Sequence, residues 1–135
     1  MQEVLFRGKR VDNGEWVYGF YVRIGKSHFI FTGKLKIVGL NVDFECYEVI
    51  PETVGQFTGE LDFNGKKIFE GDIVKNSCCV TLRSGDNENK WDCTIMGVVT
   101  FRKGGFWVKS SEFDFPVSNE YEVIGNIHDN KLEDF

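Results

Sequence analysis

The chain has little proline, little histidine and no long apolar run, and each shortage removes a class of protein. Its only prolines are Pro51 and Pro116, so the stretches between them are free to pair as central strands, where a missing amide donor is not tolerated. No run approaches the roughly 20 apolar residues that a membrane-spanning helix needs. The N-terminus, with Glu3 and Arg7 around a short apolar pair, lacks the apolar core of a signal peptide. A cytoplasmic protein without a membrane partner is expected. His28, His128 and the four cysteines Cys46, Cys78, Cys79 and Cys93 show no paired ligand spacing, which speaks against zinc. Adjacent Cys78 and Cys79 make an unusual disulfide, so free, mostly buried thiols are expected. No apolar period of 3.6 extends beyond about three helical turns. There is no repeat, and no glycine-rich loop opens a helix after a strand, so no phosphate-cradling motif is present. No cofactor is expected.

What the chain does have is aromatic and charged. Thirteen Phe, four Tyr and three Trp make 15% of the 135 residues, a composition that favours pleated sheet over helix. The net charge of −5 argues against general adhesion to nucleic acid or anionic membrane. Its distribution is uneven, with +4 over residues 1–40 and −9 over the remainder. Oppositely charged halves can attract within one chain or between copies, so a homo-oligomer is one expectation.

Local patterns predict strands and tight turns. Gly8-Lys9-Arg10 and Asp12-Asn13-Gly14 read as turns, the second a hairpin cue, followed by Trp16, Tyr18, Phe20, Val22 and Ile24 at alternate positions, a long strand with its apolar even-numbered face turned to the core. Gly25-Lys26 turns the chain, and residues 27–32 read as the partner strand, closing at Gly33. Another strand is expected over 44–50, ended by Pro51. Residues 51–70 read as a joint, with a short helical turn after Pro51 and an Asp62-Phe63-Asn64-Gly65 turn. Strands then follow from Gly71 to about Arg83, over 91–101 with a bend or bulge at Gly97, over 106–109 after a Lys103-Gly104-Gly105 turn, and over 121–127. A polar loop is expected over 84–90, and one helical turn in the acidic tail from Asp129 to Phe135. The fold class is mainly β, with an N-terminal β-rich lobe over 1–60 built on a β-hairpin region and a second lobe over 61–135.

Several of these segments together resemble a known family. They are Phe6-Arg7, Glu15-Trp16-Val17-Tyr18-Gly19, the run from Glu52 to Gly59, Asp62 with Asn64-Gly65-Lys66, the run from Ile68 to Val74, and the run from Tyr121 to Ile127. In this order and spacing they resemble the YopX family of bacteriophage and prophage proteins over nearly the whole chain. The resemblance implies a phage or prophage origin, a place in the bacterial host cell and, for residues 61–135, a small SH3-type β-barrel. It implies no catalytic or binding residues. The segment from Asn76 to Lys90 departs from the shorter strand pair expected there.

Candidate chemistry is thin. Glu70 and Asp72 flank Gly71 and could act as paired carboxylates, although Asp72 is equally a turn cap accepting backbone hydrogen bonds. The Asp62 turn lacks the further carboxylates of a calcium loop. A Cys78 or Cys79 thiolate with His128 as base is conceivable, but cysteines buried in strands are usually inert. In the basic half, Trp16, Tyr21, Phe29 and Phe31 alternate with Arg23, Lys26, Lys34 and Lys36. Stacking aromatics beside cations suit single-stranded nucleic acid, and Trp16, Arg23, Lys26 and Lys34 are the candidate contacts. The same pattern also describes a strand with a buried aromatic face and solvated lysines. The expectation is therefore a non-enzymatic module that binds a protein partner, with nucleic-acid binding as the alternative.

Overall fold

A computed structural model describes residues 4–102, 104–110, 113–131 and 135, apart from the side chains of Cys78 and Val80. The chain is mainly β and divides into two compact units, Met1–Gly59 and Glu60–Phe135.

The first unit is an antiparallel sheet. Its strands are β1 (Phe6–Lys9), β2 (Trp16–Ile24), β3 (Ser27–Val38), β4 (Asn41–Glu48) and β5 (Gly55–Leu61), which runs on past the unit's end. They lie in the order β4-β3-β2-β1-β5. The Asp12-Asn13-Gly14 cue does close the first hairpin. There Gly14 N donates to Arg10 O at 3.0 Å, Asn13 Oδ1 accepts from Glu15 N at 3.0 Å, and Gly14 takes the positive φ of 72° that the turn needs. Gly8, read from the sequence as part of a turn, lies inside β1, where a Cβ would stand 2.9 Å from the Val49 Cβ. Glycine is there for a close approach. A single 3₁₀ turn spans Pro51–Thr53, stitched to β1 by Lys9 N donating to Thr53 Oγ1 at 2.9 Å. The joint expected over 51–70 is largely strand: β5 pairs with β1 in the register Phe6↔Gln56.

Two readings of this unit are corrected by the ladders. β3 does not close at Gly33 but continues to Val38, shifting register between Phe31 and Leu35, and β4 begins at Asn41 rather than at Phe44. The face of β2 expected in the core is also the wrong one. Ile30 and Val49 are the most deeply buried apolar side chains of the unit, and the pair Tyr21↔Ile30 puts the odd-numbered face of β2 on the Ile30 side, whereas Phe57, next to Gln56 opposite Phe6, is buried on the other side. Tyr18, Phe20 and Ile24 are exposed. Alternation identifies which residues share a face but carries no sign for which face is inside.

The second unit carries β6 (Lys67–Phe69), β7 (Asp72–Ser84), β8 (Asn87–Arg102), β9 (Gly105–Lys109), β10 (Asp114–Pro116) and β11 (Glu122–Asn126). Its antiparallel sheet has the order β10-β9-β8-β7-β11, and among the described residues no ladder closes β10 onto β11. The core gathers Ile68, Val74, Val99, Val108 and Tyr121, with Phe106, Phe115 and Val123 packed around it. Burying each such side chain contributes about 1.5–3 kcal/mol. The polar loop expected over 84–90 is instead a two-residue turn at Gly85-Asp86 in an unbroken ladder from Ile73↔Val98 to Ser84↔Asn87. Gly97 is no bulge either. It pairs in register with Val74, and a Cβ there would lie 2.5 Å from Lys109 O, so glycine lets β8 and β9 close up. β10 was hidden in what reads as a loop. Lys103, in its expected turn, and residues 132–134 of the acidic tail lie outside the described residues; no α-helix occurs among the described ones.

Candidate functional site

The four residues expected to contact nucleic acid are spread out. Trp16 and Arg23 stand near opposite ends of β2, seven residues and therefore about 23 Å apart. Lys26 sits beside Arg23 in the following turn, and Lys34 lies eight residues further on, roughly 25 Å along β3. Trp16 is half-buried, with the Arg7 guanidinium 4.6 Å and the Lys9 ammonium 5.6 Å from its ring centroid. Those cations already engage the ring by cation–π attraction. Arg23 Nε donates to Gly25 O at 3.2 Å, and Lys34 Nζ lies 4.0 Å from Glu45 Oε2.

The two buried carboxylates of the second unit, Asp62 and Asp72, are tied to backbone. Asp72 is 1% exposed and its Oδ2 accepts from Phe69 N at 2.8 Å, which is the cap expected of it. Asp62 Oδ1 accepts from Asn64 N at 2.9 Å and Lys66 N at 2.8 Å, while Oδ2 accepts from Val123 N at 3.1 Å. Burial pushes this carboxyl up, but the three amides and nearby Lys66 outweigh it and hold its pKa below the ordinary value. His128 comes close to Gly71, its Nε2 3.3 Å from where a Cβ on that residue would stand. No group of three His, Cys, Asp or Glu able to hold a metal occurs among the described residues. The expectation of mostly buried thiols is corrected, since Cys46 and Cys79 are exposed and Cys93 is half-buried. A strand's outward face and its edge are as open to cysteine as to any small residue. The Cys78 side chain, and so any role for it as nucleophile or disulfide partner, lies outside the described residues.

The feature that stands out is an apolar sheet face in the first unit. Directly opposed residues of an antiparallel pair share a face. The pairs Phe20↔Phe31, Phe31↔Cys46, Leu35↔Phe44 and Ile37↔Val42 therefore put Phe20, Leu35, Ile37, Val42 and Phe44 together. The Phe31 and Phe44 rings stack at 6.1 Å and 20° across it. Phe20 is 60% exposed, Phe44 61% and Ile37 68%, and Leu40 in the β3–β4 turn is fully exposed. Apart from exposed Val38 near its tip, the reverse side of the same hairpin is polar and self-paired. Lys36 opposes Asp43, and Glu45 accepts from Tyr47 Oη at 2.6 Å and Thr32 Oγ1 at 2.9 Å. Those hydroxyls, with Lys34, hold the Glu45 pKa down against a small desolvation, and Glu45 in turn holds the Tyr47 pKa up. Arg10 caps the network, 4.1 Å above the Tyr47 ring and paired to Asp12 at 2.7 Å. A cleft of about 300 Å³ is lined by Lys34, Leu35, Lys36, Asp43, Phe44 and Glu45.

Sequence reasoning passed over Leu35, Ile37, Leu40, Val42 and Phe44. The signal was there in Lys34-Leu35-Lys36-Ile37 and Val42-Asp43-Phe44-Glu45 on either side of Gly39, two alternating runs about a glycine turn. Contiguous exposed apolar area of this kind marks an interaction surface more often than chance exposure does.

The chain is all-β in two units, with an exposed apolar sheet face in the first and two backbone-anchored buried carboxylates in the second. By sequence it belongs to the YopX protein family, whose model matches residues 5–133. Among solved structures it is similar to protein EF1440 from Enterococcus faecalis, with a TM-score of 0.60 and 22% identity over 96% of each chain, a likeness of fold. No curated protein matches it. No helix among the described residues is long and apolar enough to cross a membrane.

Proposed function

We propose that the chain is a non-enzymatic protein-interaction module of phage or prophage origin, working in the cytoplasm of the bacterial host, and that it binds through the apolar face of β2, β3 and β4. The observation that carries this reading is the continuous exposed face of Phe20, Leu35, Ile37, Val42 and Phe44. Family membership supports the origin. The second unit is read as an SH3-type barrel that serves as scaffold, supported by its five antiparallel strands and by the family resemblance. The non-enzymatic reading is supported by Asp62 and Asp72, whose oxygens accept backbone amides rather than standing free for proton transfer.

A photo-crosslinking residue in place of Leu40, introduced into the full chain in bacterial cells, tests the reading. Protein adducts are expected at Leu40 and not at a control position such as Asp86 in the β7–β8 turn. Equal, background-level labelling at both positions would overturn it. A titration with labelled single-stranded DNA and RNA runs beside it. Saturable binding that salt weakens, and that Arg23→Ala or Lys34→Ala reduces, would move the assignment to nucleic acid.

A further inference from the structure

We infer that the occupant of the apolar face is a second copy of this chain, packed face to face about a twofold axis; the inference rests on the interaction-module reading and names its partner. Three observations lead there. Every residue from Gly33 to Phe44 is exposed, so this outer part of the β3–β4 hairpin is a two-stranded ribbon that none of the described residues covers on either side. Such a ribbon is marginal in water by itself and gains stability from a third layer on its apolar side.

The second observation is the absence of charge on that side. Lysines and acids of the ribbon are turned to the reverse and matched there, Lys36 opposite Asp43 and Lys34 within 4.0 Å of Glu45. A partner arriving on the apolar side of the ribbon meets no charge that asks for a counter-charge; Glu48, on the same face, lies beyond Cys46 at the root of β4. An identical apolar face satisfies that condition automatically, and twofold pairing of one patch with itself closes the assembly. Pairing edge to edge through β4 is disfavoured instead. Antiparallel registers centred on Asp43, Phe44 or Glu45 oppose acid with acid, which destabilises a ladder.

Area is the third. Six side chains, Phe20, Leu35, Ile37, Leu40, Val42 and Phe44, are each about half exposed or more. At on the order of 100 Å² apiece they present roughly 600 Å² a copy. Two copies face to face then remove about 1,200 Å², the lower end of a specific interface.

Sedimentation of the full chain tests the inference. A monomer–dimer equilibrium is expected, with a dissociation constant in the micromolar range for an interface of this size, undiminished by added salt because no charge pair spans it. Ile37→Lys and Phe44→Glu are each expected to weaken it at least about tenfold, since a charge would be buried without a partner. Leu82→Lys, on the β7–β8 hairpin, is expected to leave it unchanged. A chain that stays monomeric to about 100 µM, well above that range, overturns the inference. So does a dimer that both variants leave intact. Should the variants fail to fold, the unaltered chain still decides. Cys46 shares the face and is exposed, as is Cys79 on the other hairpin. Alkylation of Cys46 is expected to slow with rising protein concentration while that of Cys79 does not, and equal concentration-independent rates overturn the proposal. A monomer that nonetheless crosslinks protein through Leu40 loses the second copy but keeps the interaction module. A monomer that crosslinks nothing loses both.

Discussion

Each unit extends one hairpin into solvent-exposed sequence, and the two outer segments differ in chemistry rather than in exposure. Residues 33–44 of β3–β4 and the described side chains over 81–92 of β7–β8 are all exposed. In β7–β8 the opposed pairs are Thr81↔Lys90, Leu82↔Asn89, Arg83↔Glu88 and Ser84↔Asn87, and Glu88 lies 3.8 Å from Arg83 and 3.6 Å from Lys90. The exposed apolar side chains Leu82 and Trp91 share one side, but Ser84, Asn87 and Asn89 interrupt them there, and the charges hold the other side. In β3–β4 the side that carries Leu35, Ile37, Val42 and Phe44 has no polar side chain to break it. Exposure alone therefore does not mark a docking surface; an unbroken apolar side does.

The largest effects are expected where both hairpins are rooted. A Cβ on Gly19 would stand 1.9 Å from Phe31 O, and one on Gly97 would stand 2.5 Å from Lys109 O and 2.9 Å from Val108 Cγ1. Backbone oxygens cannot move aside without opening the ladder. Gly19→Ala and Gly97→Ala are each expected to cost about 3 kcal/mol or more, read as a shift in the urea unfolding midpoint. If either costs no more than the few tenths typical of an exposed strand position, the close approach is wrong and that hairpin is not anchored there.

Acid separates the units next. The second unit is pinned by Asp62, whose three amide partners would be orphaned in Asp62→Ala at about 2–4 kcal/mol. Its folded pKa lies below the ordinary value. The unfolded chain therefore binds the proton first, and the carboxylate's contribution is present above about pH 4 and lost as pH falls through the folded value. Unfolding followed from pH 6 to pH 2 by tryptophan fluorescence is expected to show this loss, and Asp62→Asn is expected to flatten it. An acid profile that the substitution leaves unchanged would reassign the sensitivity to another carboxylate.

Smaller still is the effect expected on the β7–β8 ribbon. Leu82→Ser and Trp91→Ala are each expected to change stability by less than about 0.5 kcal/mol, as surface positions do. Backbone amides over 81–90 are expected to exchange with solvent at a rate independent of protein concentration. Amides over 35–43 should slow as concentration rises. Concentration dependence in both ribbons, or in neither, would erase the contrast between them.

Much of this architecture was legible beforehand, because turns are local. Asn13-Gly14, Gly25-Lys26 and Asp62-Phe63-Asn64-Gly65 carry their own backbone chemistry, and each turn falls where the sequence puts it. The strands of the second unit were legible through β-branched and aromatic runs, and the family through motif order. What failed needed non-local knowledge. Gly8, Gly33 and Gly97 read as punctuation, yet Gly8 and Gly97 make close contacts across strands and Gly33 lies within a continuing strand. The polar run 84–90 reads as loop because charge pairs across a ribbon look, in one dimension, like solvent-loving sequence. The candidate face was half legible: alternation grouped Tyr18, Phe20, Val22 and Ile24 correctly, but which side of a sheet is core depends on what the other strands bring. Ile30 and Val49 decide it from far along the chain.

The finest test concerns the polar reverse of the β3–β4 ribbon, which keeps charge off the apolar face. Glu45 receives hydroxyl hydrogen bonds from Tyr47 and Thr32 and lies beside Lys34, and these together hold its pKa below the usual carboxylate value. An NMR titration of the Glu45 side-chain carboxyl is expected to show that depressed midpoint in the native chain and to move upward in Tyr47→Phe, which deletes the leading donor without removing the ring beneath Arg10. Because Glu45 is only half-buried and solvent screens its charge, the substitution should register in the titration far more clearly than in stability. A midpoint at the ordinary value in the native chain would mean that the hydroxyls turn elsewhere in solution. Glu45 would then be free to swing to the ribbon's edge, and the keeping of charge off the apolar side, on which its unbroken character depends, would rest on Lys36 and Asp43 alone.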